Sequence, residues 1–255
     1  MNAALGKAML TALAAGAVSL ASLCTAAEAT TSPETRIETR TEPMTTQDTT
    51  LTRQQSAIVS IGAVAAAGNM AKLNSALQEG LDGGLTVNDC REVLVQLYAY
   101  AGFPRSLNAL GELMKVLDER RKRGVKDAEG ALPGKLPAAD QALAVGTANQ
   151  TRLTGAPVKG AVFDFAPAID QYLKAHLFGD IFARDNLDWK SRELATVGAL
   201  AALTDVSPQL QSHLRISMNV GLSYAQLQQL PQVLERQGEP EAASRLTAAL
   251  AATRP

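Results

Sequence analysis

The stretch LDWKSRELATVGALAALTDVSPQLQSHLRISMNVGLSYAQLQQL, residues 187–230, decides how the chain folds. Asp188 stands where a helix N-cap is needed, because its carboxylate accepts bonds from the free N–H groups of a first helical turn. From Leu194 to Leu203 every residue except Thr196 is apolar or glycine, so this helix is expected to be almost wholly buried. Ser207-Pro208 predicts the next start, serine as cap and proline where no N–H is required. Gly221 suits the left-handed turn that ends a helix, and Ser223-x-x-Gln226 reads as a capping box for a third. No part of the chain alternates apolar and polar residues over a strand's length. The expected fold class is all-α.

The same plan occurs earlier, from Leu51 to Pro104. Leu51, Gly62, Ala63, Ala65 and Ala66 fall on Leu187, Gly198, Ala199, Ala201 and Ala202. After a one-residue slip Gly84-Leu85-Thr86 meets Gly221-Leu222-Ser223, and Thr86-x-x-Asp89 repeats the capping box. With the slip reversed, Gly102 and Pro104 meet Gly238 and Pro240. Two copies at so long a period suggest a duplicated helical unit rather than a solenoid. The expected division is a first repeat over 51–124, a linker over 125–137 and a second repeat over 138–250. The linker is marked by its glycines and prolines, and Ala138–Arg152 is expected to form a helix leading into the second copy.

Outward from the repeats, the N-terminus reads as an export signal. Lys7 precedes an Ala/Leu-rich run, Ala8–Leu23, and Ala27-Glu28-Ala29 supplies an A-x-A cleavage site. Residues 1–29 are thus expected to be a signal peptide, placing the mature protein in the periplasm or outside the cell, with no membrane attachment after cleavage. The run is short for a membrane span. Residues 30–50, rich in threonine and charge, are expected to be a flexible leader. Loss of Cys24 with the signal leaves Cys90 alone and unable to form an internal disulfide; its apolar neighbours Val93 and Leu94 predict a buried thiol. The run Asp118–Arg123 is expected to be a solvated helix end. A formal net charge of −1 gives no electrostatic footprint for nucleic acid. All of the chain's five phenylalanines but Phe103 lie between Phe163 and Phe182, a density expected of packing, or of a lid or pocket wall.

HLFGDIFARDNLDWKSRELATVGALAAL, QLQSHLRISMNVGLS and the following Gly-Glu-Pro resemble the carboxymuconolactone decarboxylase family. GLTVNDCREVLVQLYAYAGFPRSLNAL of the first copy resembles that family's later helix and its tyrosine-glycine-proline corner. The resemblance implies a helical fold of the alkylhydroperoxidase D type, in which single-repeat members assemble as rings. A tandem chain is then expected to be a homo-oligomer, a trimer first. Thiol-dependent relatives need a C-x-x-C pair four residues before a histidine. Those places are held here by Val206 and Gln209 before His213, and by Asn69 and Lys72 in the first copy, with Ala76 in the histidine's place. A peroxidase mechanism therefore lacks its thiolate.

The remaining equipment suits a cofactor-free lyase acting on a small carboxylated lactone or ring compound. His213, one of two histidines, falls on the family's histidine position and exchanges a proton near neutral pH. Glu193 matches a family glutamate and is expected to orient it. Arg192 is the candidate grip for a substrate carboxylate, with Tyr100 and Glu92 of the first copy as further substrate-binding candidates. Each has a plainer reading: Glu193 as a helix-dipole partner, Arg192 as an ion-pair member, His213 as a bonded seam residue, His176 as packing or a gate. No metal signature is present, and neither metal nor organic cofactor is expected. A non-catalytic binding or assembly protein of the same fold is the alternative.

Overall fold

A computed structural model describes residues 49–254, so the expected signal and all of the leader but Thr49 and Thr50 lie outside the described residues. Every regular element among them is a helix: α1 (Arg53–Ala67), α2 (Met70–Asp82), α3 (Val87–Gln96), α4 (Tyr98–Lys122), α5 (Ala142–Thr154), α6 (Ala161–Phe165), α7 (Pro167–Tyr172), a π-helical segment (Leu173–Ile181), α8 (Trp189–Ala202), α9 (Ser207–Asn219), α10 (Tyr224–Leu227), α11 (Leu230–Arg236) and α12 (Pro240–Ala252).

The centre is the crossing of α1 and α8. Thr52 and Gln55 close a capping box at the start of α1, and Asp188 accepts from Ser191 N (2.7 Å) at the start of α8. Both helices are apolar on nearly every face; Val59, Ile61, Val64, Leu194 and Val197 have no exposed surface. Each such side chain stabilises the fold by about 1.5–3 kcal/mol. The crossing is close because each helix brings a glycine to it. A Cβ on Gly62 would strike the carbonyl oxygen of Ala195, and one on Gly198 would strike that of Val59. The contacts are reciprocal under the alignment that lays residues 51–66 on 187–202.

Around this pair, α2 and α4 cover α1 on one side, while α9, α11 and α12 enclose α8 and the far side of α1. The capping boxes expected at Thr86/Asp89 and Ser223/Gln226 are both formed. The α4 helix is two helices joined at Gly102, whose φ of 81° is a left-handed value that a side chain would strain. Pro104 then sits in the first turn beyond the bend, where its missing N–H costs nothing. Within α9 the expected cap moves: Val206 occupies the N-cap without a side-chain bond, and Ser207 is already helical.

Residues 142–181 make a second, smaller assembly. The α5 helix lies against the π-helical segment, and a Cβ on Gly146 or Gly179 would strike the other's backbone. Leu153, Leu177, Phe178, Ile181 and Phe182 form its core together with Ile216 of α9. The helix expected over Ala138–Arg152 starts later, at Ala142, and runs to Thr154. Phe178 and Phe182 pack as the sequence suggests, whereas Phe165 is 88 % exposed.

Residues 125–137 have no helix, yet they are strapped down: the Ala128 and Glu129 carbonyls accept from the free Val87 and Asn88 N–H groups of α3, and Gly134 N donates to Asp185. Arg120, expected on a solvated helix end, is 4 % exposed, because it pairs with Asp127 of the strap and with Asp82.

Candidate functional site

The α8–α9 hairpin carries the chemistry. Antiparallel packing brings Lys190 against Gly221 and Glu193 against His213. The Glu193 carboxylate lies 2.8 Å from Nδ1 of His213, the two joined by a hydrogen bond. Glu193 has no exposed surface and His213 is 8 % exposed, so only a small part of the histidine meets solvent. With Nδ1 held by the carboxylate, the tautomer that donates to Glu193 leaves Nε2 as the base, and Nε2 makes no bond to the protein. Such a fixed acid–histidine pair can accept or deliver a proton at one defined place.

Tyr100 comes to this pair from the other half of the chain. Its ring meets the His213 imidazole edge-on, with centroids 5.6 Å apart. It reaches there because the bend at Gly102 lets the short first piece of α4 turn away from the longer second piece. The Tyr100 hydroxyl is buried, with Thr196 near enough to act on it but no hydrogen bond of normal length and angle. Burial, reinforced by the Glu193 carboxylate, pushes its pKa far up, so the phenol stays protonated and available as a donor.

Arg192 and Glu92, both expected at a ligand, are placed on each other. Glu92 accepts from Arg192 (3.0 Å) and, through both carboxylate oxygens, from Arg184 (2.6 and 2.9 Å). Burial raises the Glu92 pKa, but the hydrogen bonds from Arg184 and Arg192 outweigh it and hold the group at about 2. Arg192 also donates to Gln96 and to the Arg184 carbonyl, and it has no exposed surface. Its guanidinium faces Glu92 rather than His213; of its nitrogens only Nε lacks a partner. Gln96 completes the knot, donating to both the Arg192 carbonyl and the Thr196 hydroxyl at 2.8 Å. Glu92, Gln96 and Tyr100 from the first half of the chain thus clasp the first turns of α8, immediately beside Glu193.

Sequence reasoning missed Gln96, Arg184 and Ser217. Ser217 lies one helical turn beyond His213 on the buried face of α9, has no exposed surface, and its hydroxyl lacks a partner. Spacing held signals for two of them: Gln96 precedes Tyr100, and Ser217 follows His213, by one turn. Thr196 was visible as the single polar residue in an apolar run, and it lies inside the network.

His176 stays outside, half exposed, with Nδ1 bonded to Asp180 and its ring tilted against Tyr98. Cys90 is buried in α3, where burial pushes its thiol up to about 12. It has none of the thiolate character a peroxidase needs. No three His, Cys, Asp or Glu side chains gather as a metal site among the described residues. No described helix is long and apolar enough to cross a membrane. Surface depressions lie elsewhere, one bounded by Asn149, Arg184 and Trp189 and another by Thr52, Lys190 and Gly221.

With this geometry established, comparison with known proteins adds one finding. The sequence model of the carboxymuconolactone decarboxylase family matches residues 167–255, from the start of α7 onward, which includes Glu193, His213 and Ser217. The match and the all-helical architecture support a protein like that family. No curated protein matches the chain.

Proposed function

We propose that the chain is a carboxymuconolactone decarboxylase-like, cofactor-free acid–base enzyme with one composite site, acting on a small carboxylated ring compound. The single observation that carries this is the buried Glu193–His213 pair, bonded through Nδ1 with Nε2 unengaged. In a decarboxylation the bond between ring carbon and carboxylate breaks, CO2 leaves, and its electron pair passes into an enolate. The His213 imidazolium then delivers its Nε2 proton to the carbon and is reprotonated from solvent. Glu193 holds the ring in place and steadies the imidazolium charge, and Tyr100 walls the site from the opposite half of the chain.

The proposal includes two repeats, 51–124 and 138–250, of which only the second keeps the Glu–His pair. Supporting it are the reciprocal glycine contacts and the matching caps and bends in the two halves. It also includes export through residues 1–29. A second reading, a binding or assembly protein of the same fold, draws on the mutual neutralisation of Arg192 and Glu92, which leaves no guanidinium fork to grip a carboxylate.

The deciding experiment is turnover of carboxylated lactones by the mature protein, with melting temperature measured beside it. His213→Gln is expected to lower the rate by about 10²–10⁴-fold with little change in melting. Glu193→Gln is expected to rank second. A folded parent that turns over none of these lactones would favour the second reading, whereas a His213→Gln protein that melts early but, while folded, turns over at the parent rate would make His213 a packing residue.

A further inference from the structure

We propose that Ser217 is a further ligand-binding residue: its hydroxyl and that of Tyr100 donate to one carbonyl oxygen of a small ring ligand held beside His213. This rests on the acid–base reading of the same site and names how the ligand is held.

Burying a hydroxyl or carboxylate oxygen without a partner costs about 1–3 kcal/mol, so such groups are few in folded proteins and each needs a reason. Here Tyr100 Oη, Ser217 Oγ and Glu193 Oε1 are all buried, and none makes a hydrogen bond of normal geometry among the described residues. They are also neighbours. Glu193 is bonded to His213, Tyr100 touches the His213 ring, and Ser217 follows His213 by one turn. The antiparallel register puts Gly221 of the α9 end opposite Lys190. Ser217, one turn before Gly221, is therefore level with Glu193.

Their chemistry is complementary to an oxygen that gains negative charge. Tyr100 and Ser217 each supply a hydroxyl, and burial beside the Glu193 carboxylate keeps the phenol protonated. The unpartnered carboxylate oxygen beside them, Glu193 Oε1, belongs to the group that orients the base. Arg192 and Arg184 both aim their guanidinium groups at Glu92. Recognition is thus by neutral donors, which favour a carbonyl or an enolate over a free-standing carboxylate. The carboxylate of a substrate would then lie toward the exposed part of His213, where it is free to depart as CO2.

The inference has a signature that a structural serine would not give. Removing a buried hydroxyl that bonds nothing relieves a cost, so Ser217→Ala should melt no lower than the parent while binding ligand less well. The mature full chain is titrated with γ-butyrolactone and with 5-oxotetrahydrofuran-2-carboxylate, following the ring signals of its two histidines by NMR. A His176→Gln chain identifies which signal is His213. Both lactones are expected to move the His213 signal, and Ser217→Ala to weaken both about tenfold at an unchanged or higher melting temperature. Tyr100→Phe, a second variant, is expected to do the same. If the parent's His213 signal ignores both lactones, or if Ser217→Ala melts lower yet binds as the parent does, the proposal is overturned. Unimpaired binding in Ser217→Ala alongside lost turnover in His213→Gln would overturn this inference and leave the acid–base reading standing.

Discussion

Glu92 is the residue on which most of the buried charge depends, since it alone offsets Arg184 and Arg192 at the seam between the two halves. Its pKa lies at about 2, below the 4.5 of an ordinary glutamate. A depressed carboxylate contributes stability that is fully present above its unfolded value and is lost as pH falls through the folded one. The parent should therefore lose stability steadily from about pH 4.5 toward pH 2, as read by urea midpoints across that range. Glu92→Gln should lower stability at pH 7 by about 3–5 kcal/mol, because two guanidiniums are left facing each other without their carboxylate. The variant should also have a flatter acid profile. A Glu92→Gln protein as stable as the parent at pH 7 would show that the knot is not what joins α3 to α8. The sequence named Glu92 and Arg192, but as separate ligand candidates. Their pairing depends on how α3 packs against α8 some hundred residues later, and no local pattern contains that distance.

At the scale of elements, what could be read was what local chemistry dictates. The capping boxes at Thr86 and Ser223, the cap at Asp188, the bend at Gly102 and the burial of Leu194–Leu203 all follow from nearest neighbours along the chain. The strap over 125–137 and the burial of Arg120 could not be read that way, because both depend on α3's free N–H groups and on Asp127 arriving from elsewhere. The α1–α8 crossing lies between these cases: the glycines were visible as matched positions, and only the structure assigns them a contact. That contact makes a sharp prediction. Alanine is the better helix former by about 1 kcal/mol, so Gly111→Ala in α4, where nothing lies within 4 Å of the new methyl group, should raise the unfolding midpoint. The same exchange at Gly198 drives a methyl group into the Val59 carbonyl and should lower stability by about 1–3 kcal/mol or more. Equal responses at the two positions in chemical denaturation would mean that α1 and α8 can separate without cost.

On the scale of the whole molecule, the fold leaves apolar surface that nothing among the described residues covers. Beyond its bend, α4 shows Phe103, Leu107 and Met114 at 62, 62 and 72 % exposure, with partly buried Leu110 between them and Leu117 one turn further on. Their spacing alternates four and three residues, which sets them in one stripe along the helix. A continuous apolar stripe of this kind usually marks an interaction surface, whereas scattered exposed residues do not. A second copy is the expected occupant, with a homotrimer as the expected assembly. Light scattering on the mature protein at micromolar concentration tests this directly. Leu107→Glu combined with Met114→Lys should yield a folded monomer with unchanged helix content, since neither side chain supports the core. Three copies joined through α4 would hold the longer piece of that helix still and, through the turn at Gly102, hold Tyr100 against His213. The dissociated variant should therefore lose turnover beyond any loss of stability. A parent that is already monomeric would remove both the assembly and this link to the site, and Tyr100 would then depend on the Gln96–Thr196 network alone.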